Sequence, residues 1–289
     1  MRIDPVKHPV TAKLLLPSRE SCPSAPAVRI LQLTDSHCSS DPGQRVLGQD
    51  TRRTFSNVIR AILDSDVRYD FVLLTGDLAE DPVEKAYGFL REQLRLLKIP
   101  CYCLPGNHDD VGAMSRFLIG DNIRMESRII LDHWQIVCLD STVPGESGGF
   151  LDDAQIELLQ DAIASEPHKY LLVAVHHHPV PCDSTWMDTM MIRNSQHLFA
   201  ALDRFSVMAR GVIFGHIHQT LDRTVRGVRF LGSPSTCCQF KPLSERFAIA
   251  PQPPGYRWIE ITETGDMFTG VRAVGKPTRV SWRTASVTP

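Results

Sequence analysis

Apolar residues along this chain gather in short continuous runs separated by stretches with a longer period. The runs at 28–34, 71–75, 101–104, 171–175 and 211–214 are too short for helices and read as strands buried on both faces. Between them the spacing shifts to three and four. Residues 50–63 place Phe55, Val58, Ile59 and Ile62 on one helical face. Stretches 82–97, 152–164 and 194–205 also read as helices, with Pro82 suited to a first turn. This alternation of strand and helix predicts an α/β fold with a largely parallel first sheet. Residues 128–131 and 135–139 are expected to pair around Asp132-His133. The later runs, 223–231, 256–261 and 267–271, are mostly β and predict a second, mixed sheet packed on the first. Pro5, Pro9, Pro17, Pro23 and Pro26 make residues 1–27 an irregular extension. The folded region is expected over 28–273, with a tail at 274–289.

Composition narrows the field a little. The 289 residues are 43% hydrophobic and 22% charged, ordinary for a folded soluble protein with a sizeable core. A net charge of −2 with no cluster of Lys and Arg argues against nucleic acid as a partner. No apolar stretch approaches the ~20 residues that span a bilayer, and Leu14-Leu15-Leu16 is too short for a secretory core. A cytoplasmic protein without membrane attachment is expected. The eight cysteines include no Cys-x-x-Cys pair and are expected to be reduced, mostly buried thiols.

The chemistry lies in five short motifs: Asp35-Ser36-His37, Gly76-Asp77, Gly106-Asn107-His108-Asp109, His176-His177-His178 and Gly215-His216-Ile217-His218. Each follows an apolar run, so each is expected where a strand ends and the loops of an α/β sheet converge. Asp35 and His37 can address one ion from the same side. Asp77 is the natural bridging carboxylate, and Asn107 offers a neutral carbonyl oxygen. His216 and His218 again alternate by two, with Gly215 allowing close backbone approach. Oxygen and imidazole donors together suit borderline metals such as zinc, manganese and iron. The set exceeds one tetrahedral site and fits two metals sharing a carboxylate. Singly the motifs say little, because Gly-Asp and Gly-Asn are common turns. Their conjunction at strand ends carries the argument.

The ordered set resembles the calcineurin-like metallophosphoesterase superfamily from about Val28 to Val271. Within it the chain resembles the bacterial class III cyclic AMP phosphodiesterases. The narrower likeness rests on Leu31–His37, Leu104–Asp109, Gly215–Gln219, Ser233–Pro242 and Pro254–Arg257. The resemblance implies a four-layer α/β/β/α sandwich with two mixed sheets and the site at strand carboxyl ends. It implies Asp35, His37, Asp77 and His218 around one metal, and Asp77, Asn107, His176 and His216 around the other. Iron and manganese are the expected metals, with zinc, cobalt or magnesium as alternatives. One histidine is required at the third strand end, and three are present. His176 directly follows the strand and is the choice; His177 is the runner-up, and His178 is expected to support the loop at Pro179.

The implied activity is hydrolysis of 3′,5′-cyclic AMP to 5′-AMP by a metal-bridging hydroxide, with the metals about 3.5–4 Å apart. His108 is expected to act as general acid or phosphate stabiliser, with Asp109 orienting its ring. His37, Asp77, Asn107, His108, His176 and His218 are expected around the substrate phosphate. Trp186 could stack on the purine, or simply pack its loop, and Arg193 could read the base edge or ribose. The alternatives are a broader hydrolase of glycerophosphodiesters or 2′,3′-cyclic nucleotides, and a scaffold without catalysis. The complete donor set disfavours the scaffold.

Overall fold

The computed structural model describes residues 11–14, 27–205 and 208–275. A short strand β1 (Thr11–Lys13) precedes β2 (Ala27–Leu33) and helix α1 (Thr51–Leu63). The Asp50 carboxylate accepts the Arg53 N–H at 3.0 Å, which fixes the start of α1. Strand β3 (Phe71–Thr75), helix α2 (Glu84–Arg95) and β4 (Cys101–Leu104) repeat the unit. A helical turn α3 (Val111–Ala113) and a π turn at Met114–Leu118 lead to β5 (Ile123–Arg124), β6 (Arg128–Ile130) and β7 (Trp134–Cys138). Next come α4 (Asp153–Ser165), β8 (Tyr170–Val175), α5 (Thr185–Asp188), α6 (Ser195–Asp203) and β9 (Ala209–Phe214). The chain closes with β10 (Leu221–Val225), β11 (Val228–Gly232), β12 (Gln239–Phe240), β13 (Ile249–Ala250), β14 (Gly255–Thr262) and β15 (Met267–Ala273).

Two mixed sheets result. One has the order β15-β14-β2-β3-β4-β5, and the other β1-β6-β7-β8-β9-β11-β10. Strand alternation then sorts the side chains into layers. Ile30, Phe71, Leu73, Tyr102 and Leu104 of the first sheet meet Ile136, Leu172, Ala174, Ile213 and Leu231 of the second. Their neighbours Leu31, Leu33, Val72 and Leu74 face the other way, onto Phe55, Val58 and Ile59 of α1 and Leu90 of α2. On the far side Val173, Val175, Val212 and Phe214 pack against Leu159 of α4 and Leu198 of α6. This is the α/β/β/α sandwich.

A buried arginine ties the layers together near one edge. Arg257 on β14 is 2% exposed. It donates to the Gly232 carbonyl at 2.7 Å, to Ser233 Oγ at 3.1 Å and to Thr269 Oγ1 at 3.1 Å. Burial pulls its guanidinium down to about 10. Ser233 in turn donates to Gln32 Oε1 at 2.5 Å, and Gln32 Nε2 donates to Thr75 Oγ1 and the Phe214 carbonyl. The network thus reaches the ends of β2, β3 and β9, where the motifs begin.

Several sequence readings change. Part of the segment read as irregular pairs in parallel with β6 through Thr11–Lys13; positions 1–10 and 15–26 lie outside the described residues. The single strand expected over 223–231 is a hairpin, because Arg226 and Gly227 take positive φ (50° and 81°) and turn the chain. The pairing expected around Asp132-His133 is present, with Ile129 opposite Ile136. Of the tail, only Val274 and Gly275 are among the described residues.

Candidate metal centre

The motifs converge where the carboxyl ends of both sheets meet. The first sheet brings the oxygen donors and two imidazoles: Asp35 and His37 beyond β2, Asp77 beyond β3, Asn107 and His108 beyond β4. The second brings imidazoles: His176–His178 beyond β8, and His216 and His218 beyond β9. The loops approach backbone to backbone. A Cβ at Gly106 would collide with Asp77 Oδ1, and one at Gly215 with Thr34 Oγ1. Asp35, His37, Asp77, His216 and His218 all hold positive φ between 43° and 65°. Such backbone costs free energy in non-glycine residues and clusters at functional sites.

Asp35, His37 and His218 form one donor group. His37 Nε2 and His218 Nε2 face each other at 3.2 Å, and His218 Nε2 lies 3.4 Å from Asp35 Oδ1. Asp77 stands between this group and the next: its Oδ2 is 3.7 Å from His37 Nε2 and 3.3 Å from His176 Nε2. Asn107 Oδ1 is 3.2 Å from His176 Nε2. His216 and His177 complete a group with His176, and Nε2 of each is buried without a hydrogen-bond partner. Unpaired buried polar atoms are costly, and a cation among them would remove that cost. The site therefore fits a pair of metal ions.

The remaining nitrogens are held from behind, as metal-binding imidazoles usually are. His37 Nδ1 meets Glu80 Oε2 at 2.8 Å, His176 Nδ1 donates to the Thr75 carbonyl at 2.8 Å, and His218 Nδ1 to the Cys238 carbonyl at 2.9 Å. His177 differs: its Nδ1 is taken by Ser141 Oγ at 2.7 Å. His178 Nε2 lies 3.3 Å from Asp188 Oδ1 and supports the loop beyond Pro179.

Charge follows the same arrangement. Burial opposes the Asp77 carboxylate, but His176, His37 and His108 hold it well below the usual range. Burial likewise opposes the charged His176 and His218 rings; Asp77 beside the first and Asp35 beside the second overcome it, raising them to about 9 and about 10. His216 and His177 go down, through burial and the neighbouring imidazoles. Positive charge is thus drawn to the carboxylates.

Asp109 and Arg193 are engaged differently from the sequence reading. Asp109 does not orient His108. Its carboxylate accepts the N–H groups of Gly106, Leu78 and Ala79 at 3.0–3.2 Å and the Tyr87 hydroxyl at 2.9 Å, locking the loops beyond β3 and β4 together. Glu80 holds the place beside His108, with Oε2 3.4 Å from Nδ1. Arg193 Nη1 donates to Glu146 Oε2 at 2.5 Å, and its guanidinium lies over the Phe150 ring.

The centre opens into a cleft of about 370 Å³ lined by His37, Arg45, Glu80, His108, Trp186 and Phe240 among others. That is room for a small ligand. Trp186 packs edge-on to Phe240 and Phe247, and Phe240 stacks flat on His218 with ring centroids 3.9 Å apart. Glu80 and the loop at Gln44–Leu47 carry no part in the sequence reading, and Phe240 enters it only within the segment Ser233–Pro242, with no role assigned. Glu80 follows Asp77 by three residues, and that spacing was its only signal.

Comparison with known proteins agrees with this geometry. A family model described as calcineurin-like phosphoesterase matches residues 28–220. The 3′,5′-cyclic adenosine monophosphate phosphodiesterase CpdA of Pseudomonas aeruginosa is 39% identical over 248 residues, covering 86% of this chain and 90% of the relative. The protein of the same name from Escherichia coli strain K12 is 37% identical over 260 residues, covering 90% and 94%. A dimetal phosphatase from Danio rerio superposes with a TM-score of 0.58 at 14% identity, over 84% of this chain and 98% of that one, a likeness of fold. The donors meet at the carboxyl ends of a paired-sheet sandwich, and the match runs through every motif that supplies them, so the chain belongs to the calcineurin-like phosphoesterase family.

Proposed function

We propose that this protein hydrolyses 3′,5′-cyclic AMP to 5′-AMP at a two-metal centre. The observation that carries the chemistry is the convergence of Asp35, His37, Asp77, Asn107, His176, His216 and His218, with the His216 Nε2 buried and unpaired. The choice of substrate is supported by the cyclic AMP phosphodiesterases that align over most of the chain.

Asp35, His37, Asp77 and His218 would hold one ion, and Asp77, Asn107, His176 and His216 the other. His176 is favoured over its two neighbours because its Nε2 alone of the three meets both Asp77 and Asn107. Bound there, two metals supply Lewis-acid charge for the phosphate oxygens and an activated water as nucleophile. Iron and manganese suit the oxygen and imidazole donors.

The side chains divide the remaining work. Glu80 takes the Nδ1 side of His108, which leaves Nε2 as the nitrogen that delivers a proton. His108 is 38% exposed beside the centre, where it would protonate the 3′ oxygen as leaving group. Asp109 holds the loop that carries Asn107 and His108, so its part is positioning. Trp186, which lines the cleft beside Phe240, offers an aromatic wall for the purine. A cytoplasmic setting, where the substrate is found, suits a chain whose seven described cysteines are all free.

The test is turnover by the metal-reconstituted protein on cyclic AMP, cyclic GMP, 2′,3′-cyclic nucleotides, a glycerophosphodiester and bis-p-nitrophenyl phosphate. Cyclic AMP is expected to be the best substrate. Hydrolysis of the generic diester with none of cyclic AMP would leave the metal centre and remove the substrate assignment.

A further inference from the structure

Beside the binuclear centre, and sharing no ligand with it, lies a third group of donors. His178, Cys182 and Asp188 place one ligand atom each within 4.8 Å of one another. His178 and Cys182 are buried, and the side chain of Asp188 is 23% exposed. The prolines at 179 and 181 stiffen the link between the first two ligands. Asp188 ends helix α5, whose Trp186 and Met187 line the cleft.

We propose that His178, Cys182 and Asp188 form a separate zinc site, with water as the fourth ligand, which clamps the cleft wall to the end of β8. Thiolate, imidazole and carboxylate together are a zinc donor set. Asp188 Oδ1 accepts the Cys182 N–H at 2.8 Å and stands 3.3 Å from His178 Nε2, a separation at the long end for a hydrogen bond. It matches the edge of a zinc tetrahedron, roughly 3.3–3.6 Å for the usual bond lengths. Asp183, the nearest other carboxylate in sequence, is taken by Arg223 at 2.5 Å, which leaves the fourth position to solvent.

Charge balance favours the same ion. Burial keeps the Cys182 thiol protonated, so the charge of the metal-free group is that of the Asp188 carboxylate. Zinc binding releases the thiol proton to solvent. The resulting thiolate and carboxylate cancel the two positive charges of the ion, so no net charge is buried.

Cobalt substitution of the 289-residue chain tests this, because the binuclear donors include no sulfur. The cobalt-loaded protein is expected to show a thiolate-to-cobalt charge-transfer band in the near ultraviolet. C182S should abolish that band and leave the visible bands of the binuclear centre. Zinc content should fall from roughly three to roughly two ions per chain in C182S and in D188N. Absence of the band from fully loaded wild type overturns the proposal whatever the variants do. So does a band that survives C182S and is lost in C238S, since Cys238 lines the cleft beside His218. The visible bands and the last two ions report the binuclear centre, so failure of that assignment would be seen separately.

Discussion

At the metal-facing edge each donor sits one to four residues past the end of a strand paired on both sides, as with His176 beyond β8 and His218 beyond β9. The cleft wall a few ångströms away is built differently. Gln44–Leu47, Trp186 and Met190 stand outside the two main sheets, and Phe240 belongs to a separate two-stranded pair. Sheet register fixes the first region, and aromatic packing across long sequence separations fixes the second. Under the proposed function, the hydrolytic chemistry would reside in the sheet-anchored region and the choice of ester in the loop-built wall.

That contrast can be tested from its strongest point outward. Asp77→Ala removes the carboxylate placed between both donor groups. Turnover is expected to fall by roughly 10³-fold or more, with loss of bound metal, as seen by kinetics and metal analysis. A variant that kept both would show that the rigid edge does not need its bridge. Glu80→Gln weakens only the support behind His37 and His108; metal affinity should drop about 10–100-fold, measured by titration of the apo protein. Unchanged affinity would assign Glu80 to the cleft instead. Trp186→Ala touches the wall alone, so KM for cyclic AMP should rise about tenfold with kcat little changed, the loss expected for one stacked base. A fall in kcat with KM unmoved would mean the wall is coupled to the centre. Arg193→Ala, on a side chain held by Glu146, should leave KM within about twofold; a larger rise would bring Arg193 back to the substrate.

The same contrast explains what could be read from the sequence. The strand ends were legible because a buried parallel strand is a continuous apolar run, and Gly76-Asp77 or Gly215-His216 interrupts it abruptly. The α/β class followed from the alternation of runs and helical periods, but the late runs expected in a second sheet, 256–261 and 267–271, pair instead beside β2 in the first. Asp109 was misread because adjacency to His108 says nothing about direction: the loop turns its carboxylate inward onto four donors. Glu80 escaped notice for the converse reason, since its two imidazole partners are 43 and 28 positions away in sequence. Phe240 reaches His218 through a turn that carries no periodic pattern. The hairpin at Arg226-Gly227 was hidden because arginine is an uncommon first residue for a tight turn.

The position of β14 has a consequence for the timing of assembly. It pairs with β2, Arg257 opposite Gln32, across 225 residues of chain. A ribosome adding about 5–20 residues per second needs roughly 11–45 s to cover that separation. For that interval β2, which leads directly to Asp35 and His37, has one side bare of its final neighbour. The carbonyl of Gly232 also waits for the guanidinium that will occupy it. A strand made late therefore seals the early one that leads to the first donors, and a chain interrupted before residue 255 would display an unpaired edge able to recruit other chains.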